Sequence, residues 1–173
     1  LKENSNDEEF AGGIVAILET ATIENSKNTG NVIGSTNIGG IAGESKGTIT
    51  QCRNDGQVSK VAGVICKTVN LGGLVGKNGE AARLSNSKNY GNVNSETDTL
   101  VNLGGICGIL YNNSIVELCE NNGAISGSGK EIIPNEDTNT NCASCTSNNG
   151  GSASTDDFGQ LNIGIIYGKY QEI

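Results

Sequence analysis

Leu71-Gly72-Gly73-Leu74-Val75-Gly76 is the stretch on which the fold turns, because the chain repeats it. Nearly the same residues run from Ile38 to Gly43 (IGGIAG) and from Leu103 to Gly108 (LGGICG), with looser copies at 11–16 (AGGIVA) and 163–168 (IGIIYG). Gly13, Gly40, Gly73 and Gly105 are separated by intervals of 27, 33 and 32 residues. Self-similarity at such a period is the mark of a repeat architecture.

A second signature follows each glycine motif. It runs Ile23 to Val32 (IENSKNTGNV), Ile49 to Val58 (ITQCRNDGQV), Leu84 to Val93 (LSNSKNYGNV) and Val116 to Ile125 (VELCENNGAI). An aliphatic residue is followed three positions later by Ser or Cys, then by Asn, then Gly, then a second aliphatic residue. Five positions held in register four times define an internal repeat.

Each unit supplies short pieces rich in Ile, Val and Leu, separated by Gly or Asn. For the second unit the spacing predicts strands over 38–42, 48–52 and 57–60. Glycine or asparagine arrives too often for a helix. A β-rich unit of this length cannot bury its own apolar positions, whereas stacking on its neighbours does so. The expected fold is therefore all-β, a parallel β-helix or β-solenoid of four to five coils, each adding about 4.8 Å along the axis.

The columns of this stack are readable. Ile14, Ile41, Leu74 and Ile106 form one interior ladder, with Ile165 as a fifth member. Ile23, Ile49, Leu84 and Val116 form another, and Val32, Val58, Val93 and Ile125 a third. Ser26, Cys52, Ser87 and Cys119 share a column restricted to small side chains. Asn28, Asn54, Asn89 and Asn121 stack at a corner, with amides bonded along the axis and to turn backbone. Gly30, Gly56, Gly91 and Gly123 follow, where a positive φ is the expected requirement. Residues 1–10 read as an acidic lead-in, and 11–173 as one β-solenoid domain carrying an insertion at 127–162. Within that insertion CTSNNG (Cys145 to Gly150) echoes the second signature, which suggests a loop-bearing coil.

These residues resemble the GLUG-type repeats of bacterial secreted and cell-surface proteins. Those repeats pair a G-G-[LI]-[VA]-G element with an N-S-x-[AN]-x-G-x-V element. LGGLVGKNG (Leu71 to Gly79) with NSKNYGNV (Asn86 to Val93) carries the likeness, which extends over 11–125 and the last motif. It implies a right-handed β-helix-like module, extracellular or on the bacterial cell surface. Such modules occur in adhesin-like proteins and in non-catalytic parts of IgA1-protease-family proteins. No catalytic residue is carried over. Cys52, Cys107 and Cys119 depart from the repeat pattern.

Composition narrows the function. A formal charge of −8 with eleven scattered Lys and Arg does not suit nucleic acid, whose phosphates need clustered cations. No apolar run approaches the roughly 20 residues of a membrane-spanning helix. The chain opens on Leu, so we read it as part of a larger polypeptide. There is no histidine, so neither a Ser-His-Asp nor a Cys-His site can be assembled within it, and zinc-peptidase motifs are absent. No cofactor is expected.

Cys52, Cys66, Cys107 and Cys119 fall at core-like positions and read as small buried hydrophobes. The single C-x-x-C, Cys142 to Cys145, reads as a loop disulfide or two idle thiols rather than a metal site. The acidic runs at 135–137 and 156–157 match no defined calcium loop. For binding, Lys27, Arg53 and Lys88 share an outward column beside the Ser/Cys one, followed by Glu120, and Tyr90 and Tyr111 are the mid-solenoid aromatics. The sequence thus points to a non-catalytic structural or adhesive module that displays loops to a host glycan or extracellular protein. The alternative is a carbohydrate-active β-helix, a polysaccharide lyase or glycoside hydrolase working through convergent carboxylates.

Overall fold

The computed structural model describes residues 8–95, 100–111, 113–134, 142–143, 145–147, 151–164 and 167–171, and side chains within 8–95, 100–111, 113–128 and 145–147. The described residues form strands and turns only, most strands having two to five residues, and every strand pairing is parallel. The architecture is a parallel β-helix, as the repeat predicts. Among the described residues no helix is long and apolar enough to cross a membrane.

Each coil has five faces, illustrated by the second: Asn37–Gly39, Ala42–Ser45, Thr48–Thr50, Arg53–Asn54 and Val58–Lys60. The first coil begins with the strand Phe10–Gly12, so Phe10 already belongs to the stack; it pairs with Asn37. Register is residue-for-residue between coils. Ile23, Ile49, Leu84 and Val116 align on the third face, and Val32, Val58, Val93 and Ile125 on the fifth. The ladder through Ile14, Ile41, Leu74 and Ile106 is tied by bonds from each N–H to the carbonyl of the next member, at 3.0, 2.8 and 3.0 Å. Ile41, Leu74 and Ile106 are fully buried, but Ile14 is 44% exposed because no described strand lies beyond the first coil. Ile165 lies outside the described residues.

Sequence spacing predicts three strands per coil, and the structure has five. One extra strand is Arg53–Asn54, and the other arises at the glycine motif, read as part of a strand and found to be a sharp corner between the first and second faces. A Cβ on Gly39 would sit 2.1 Å from the Ala42 carbonyl oxygen and 2.7 Å from the Gly76 nitrogen. One on Gly76 would lie 2.4 Å from the Ile38 nitrogen. Backbone meets backbone there, and only glycine leaves the room. This seam separates two cores. Ile41, Leu74, Ile49, Leu84, Cys52 and Cys119 belong to one, enclosed by the second, third and fourth faces. Ile38, Leu71, Leu103, Val58, Val93 and Val69 belong to the other, between the first and fifth.

A second correction concerns the corner glycines. Gly30, Gly56, Gly91 and Gly123 do not have positive φ; among the described glycines only Gly63 does. A side chain is excluded at Gly56 and Gly91 by the coil beneath, since a Cβ there would lie 1.9 and 1.8 Å from the preceding glycine's carbonyl oxygen. The left-handed conformation falls instead at Asn25, Gln51, Asn86 and Leu118, the residue before each Ser or Cys, with φ of 51°, 53°, 50° and 52°.

The segment read as an insertion continues the stack. Cys142–Ala143 pairs with the third face of the fourth coil and Thr146–Ser147 with its fourth face, so the CTSNNG echo marks a fifth coil. The strand Gly151–Gly164 then pairs at 151–155 with Ile125 to Gly129, and at 160–164 with Leu100–Gly104. Its second half also pairs with 131–134, so 160–164 lies between the fourth coil and an outer strand that precedes it in sequence. The acidic run at 135–137 lies outside the described residues.

Candidate functional site

Two outward surfaces carry charged and aromatic side chains. The first is the fourth face, two residues wide, where the inward position is asparagine in the first four coils and Ser147 in the fifth, and the outward one varies. Lys27, Arg53, Lys88 and Glu120 stand in one outward column in strict register. Asp55, in the turn that leaves this face, lies 2.8 Å from Lys27 and 2.5 Å from Arg53. The Arg53 guanidinium sits 4.2 Å from the Tyr90 ring centre, and Lys88 pairs with Glu120 at 2.8 Å.

The electrostatics follow from these contacts. Hydrogen bonds from Arg53 and then Lys27 hold the Asp55 carboxyl below its ordinary value, and the same bond with Asp55 raises Arg53. Glu120 raises Lys88 in the same way. Lys27 and Arg53 therefore share the Asp55 carboxylate, and Lys88 has that of Glu120. The stripe presents paired charge, and exposed pairs of this kind contribute little to stability.

The second surface is a cleft of about 310 Å³ on the second face, lined by Glu44, Lys46, Lys77, Gly79, Glu80 and Tyr111. Glu44 and Lys77 occupy one outward column, in register between Ile17 and Ile109. Glu44 is only 6% exposed, and its Oε1 lies 3.5 Å from Lys77 Nζ. Burial alone would lower the Lys77 pKa, but Glu44, a hydrogen bond from Lys77 to Glu8 and the Tyr111 ring outweigh it and hold the ammonium above the ordinary lysine value. Lys77 Nζ stands 5.8 Å from the Tyr111 ring centre, and Lys46 pairs with Glu19 at 3.3 Å.

Of the residues singled out from sequence, Lys27, Arg53, Lys88 and Tyr90 come together on the fourth face. Tyr111 is on the second face with Lys77. Glu44, Lys77 and Glu80 were missed by sequence reasoning. The signal was present: the residue after the last glycine of the motif is Glu44 in one coil and Lys77 in the next, opposite charges at one repeat position.

The cysteines divide as their positions imply. Cys52, Cys66, Cys107 and Cys119 are buried free thiols, and Cys145 is disulfide-bonded. Burial pushes the Cys52 thiol up, Cys107 well up, and Cys119 up to about 11. Such thiols are poor nucleophiles at neutral pH. Among the described residues no group of three or more Cys, Asp or Glu is placed to hold a metal ion.

The fold and these two surfaces define a parallel β-helix with a paired-charge stripe and a lateral cleft. Comparison with protein-family models, with curated proteins and with solved structures finds no match to this chain.

Proposed function

We propose that this chain is a non-catalytic repeat module of the GLUG type, belonging to a bacterial cell-surface or secreted protein and presenting its outer faces to a host glycan or extracellular protein. One observation carries the reading. The same columns run in register through the described coils, so the sequence is committed to making a stack. The thiols are buried, and the charged groups of the fourth face pair with one another. The loop at 61–68 joins the fifth face to the next coil with Ala62, Gly63, Ile65 and Lys67 exposed, while Cys66 is buried in the core.

The second reading, a carbohydrate-active enzyme, is favoured by the cleft, which brings the Glu44 and Glu80 carboxylates to one concavity. Applying the purified chain to an array of host glycans and matrix proteins, with a parallel assay for sugar release, separates the two. Saturable retention without released sugar is the expected result. Steady release of reducing or unsaturated sugars that stops in Glu44→Gln would replace the module reading with the enzymatic one.

A further inference from the structure

Lys77, which lines the cleft of the second face, is also bonded by a carboxylate from outside that face. Glu8, 69 residues away in sequence and just before the first strand, places Oε1 and Oε2 at 3.3 and 3.2 Å from Lys77 Nζ. The Glu8 side chain is 60% exposed and is not among the residues lining the cleft, so it reaches the lysine from outside and is weakly held. Glu44 lies on the other side of the same ammonium, with its side chain 8% exposed and its strand stacked between two coils. One carboxylate is therefore built in and the other is displaceable.

We propose that the cleft is a binding site for a carboxylated sugar, with Lys77 as the receptor for the carboxylate and Glu8 as an internal stand-in that the ligand displaces. The inference rests on the reading of the chain as a glycan-contacting module and gives that reading a site and a ligand class. Three features select a sugar acid over an acidic peptide. The Tyr111 ring beside Lys77 offers an apolar platform for the C–H face of a pyranose. The carboxylates of Glu44 and Glu80 accept hydrogen bonds from sugar hydroxyls but repel further acidic side chains. A volume near 310 Å³ suits one or two sugar rings and is at the small end for ligand pockets.

The test is a titration of the isotope-labelled chain with sodium glucuronate, glucose and sodium acetate, following the Lys77 side-chain and Tyr111 ring resonances. Saturable shifts are expected with glucuronate, at least tenfold weaker ones with acetate, and none with glucose. Glu8→Gln should tighten glucuronate binding several-fold by removing the competitor, and Lys77→Gln should abolish it. Because Lys77→Gln leaves Glu44 without its cation and threatens folding, Glu8→Gln is the decisive variant. Unchanged affinity in Glu8→Gln, or equal responses to acetate and glucuronate, would overturn the proposal. Array binding that survives Lys77→Gln would sink this site while leaving the module reading in place. Glucuronate binding with a silent array would do the reverse.

Discussion

Asn54 uses its whole amide. Its Nδ2 donates to the Gly56 carbonyl at 2.7 Å and to Asn89 Oδ1 at 2.9 Å, while its Oδ1 accepts from Asn28 Nδ2 at 2.8 Å and from the Gly56 N–H at 3.2 Å. Two donors and two acceptor sites are all that the side chain has. Asn54→Ala therefore strands several buried groups, each costing about 1–3 kcal/mol, and should lower stability in urea titration by at least 3 kcal/mol. The Ser/Cys column also gains a meaning that spacing could not supply. Ser26, Cys52, Ser87 and Cys119 each donate to the carbonyl two residues back, at 2.9, 3.2, 2.8 and 3.3 Å, so the position selects a small donor rather than smallness alone.

Two more predictions belong to single residues. Leu118 holds φ of 52° at a position where other coils use Asn or Gln, and it is 54% exposed. Leu118→Asn should raise stability by about 1 kcal/mol, read as a shift in the urea midpoint. The Cys119 thiol is raised in the folded state to about 11. Its contribution is fully present below the unfolded thiol's value near 9 and is lost as pH rises from there towards 11. Across that window its loss amounts to about 2–3 kcal/mol. Cys119→Ser, with the hydroxyl that Ser87 already carries, should make the alkaline limb shallower in stability-versus-pH measurements while leaving the part that Cys52 and Cys107 contribute.

At the scale of elements, two asparagine ladders run through the stack with opposite polarity. In Asn28, Asn54, Asn89 and Asn121 each amide N–H points to the following coil. In Asn37, Asn70 and Asn102 it points to the preceding one, at 2.7 and 2.6 Å. The first ladder was legible because four copies of one signature align its members. The second has one Asn two residues before the glycine pair of the second, third and fourth coils, but the first coil has Phe10 at that position, which breaks the pattern. The five-face coil was not legible either. Gly39 and Gly76 look like strand glycines in one dimension, and only the approach of two backbones reveals the corner. Charge pairing between coils, such as Glu44 with Lys77, depends on register and appears once the repeats are aligned by their outward positions.

One column breaks the interior pattern. On the second face Leu18, Ser45, Asn78 and Leu110 align, and Ser45 Oγ and both polar atoms of the Asn78 amide are buried without a protein partner. Unpaired buried polar groups are costly, and replacing both by apolar residues removes the cost. Ser45→Ala with Asn78→Leu should therefore unfold at a higher urea concentration than the parent by about 1–2 kcal/mol. Asn78→Leu alone should gain less, since Ser45 Oγ stays unpaired.

For the molecule as a whole, stability comes from the contact of each coil with its two neighbours, so the ends are weaker than the middle. The first coil shows this in the 44% exposure of Ile14, against 0% for its partners Ile41 and Leu74. Pairing of engineered cysteines tests the parallel register between coils directly. Thr48 and Arg83 are partners on adjacent third-face strands, and Thr22 is Thr48's partner one coil earlier. Neighbouring strands are about 4.8 Å apart, within disulfide reach, and strands two coils apart are about 10 Å apart, outside it. With the four free cysteines replaced by Ala or Ser, the pair Thr48→Cys/Arg83→Cys should cross-link readily under mild oxidation, and Thr22→Cys/Arg83→Cys should not. Cross-linking of the distant pair, or of Thr48→Cys with Leu84→Cys in preference to Arg83→Cys, would contradict the stacked register on which every other inference depends.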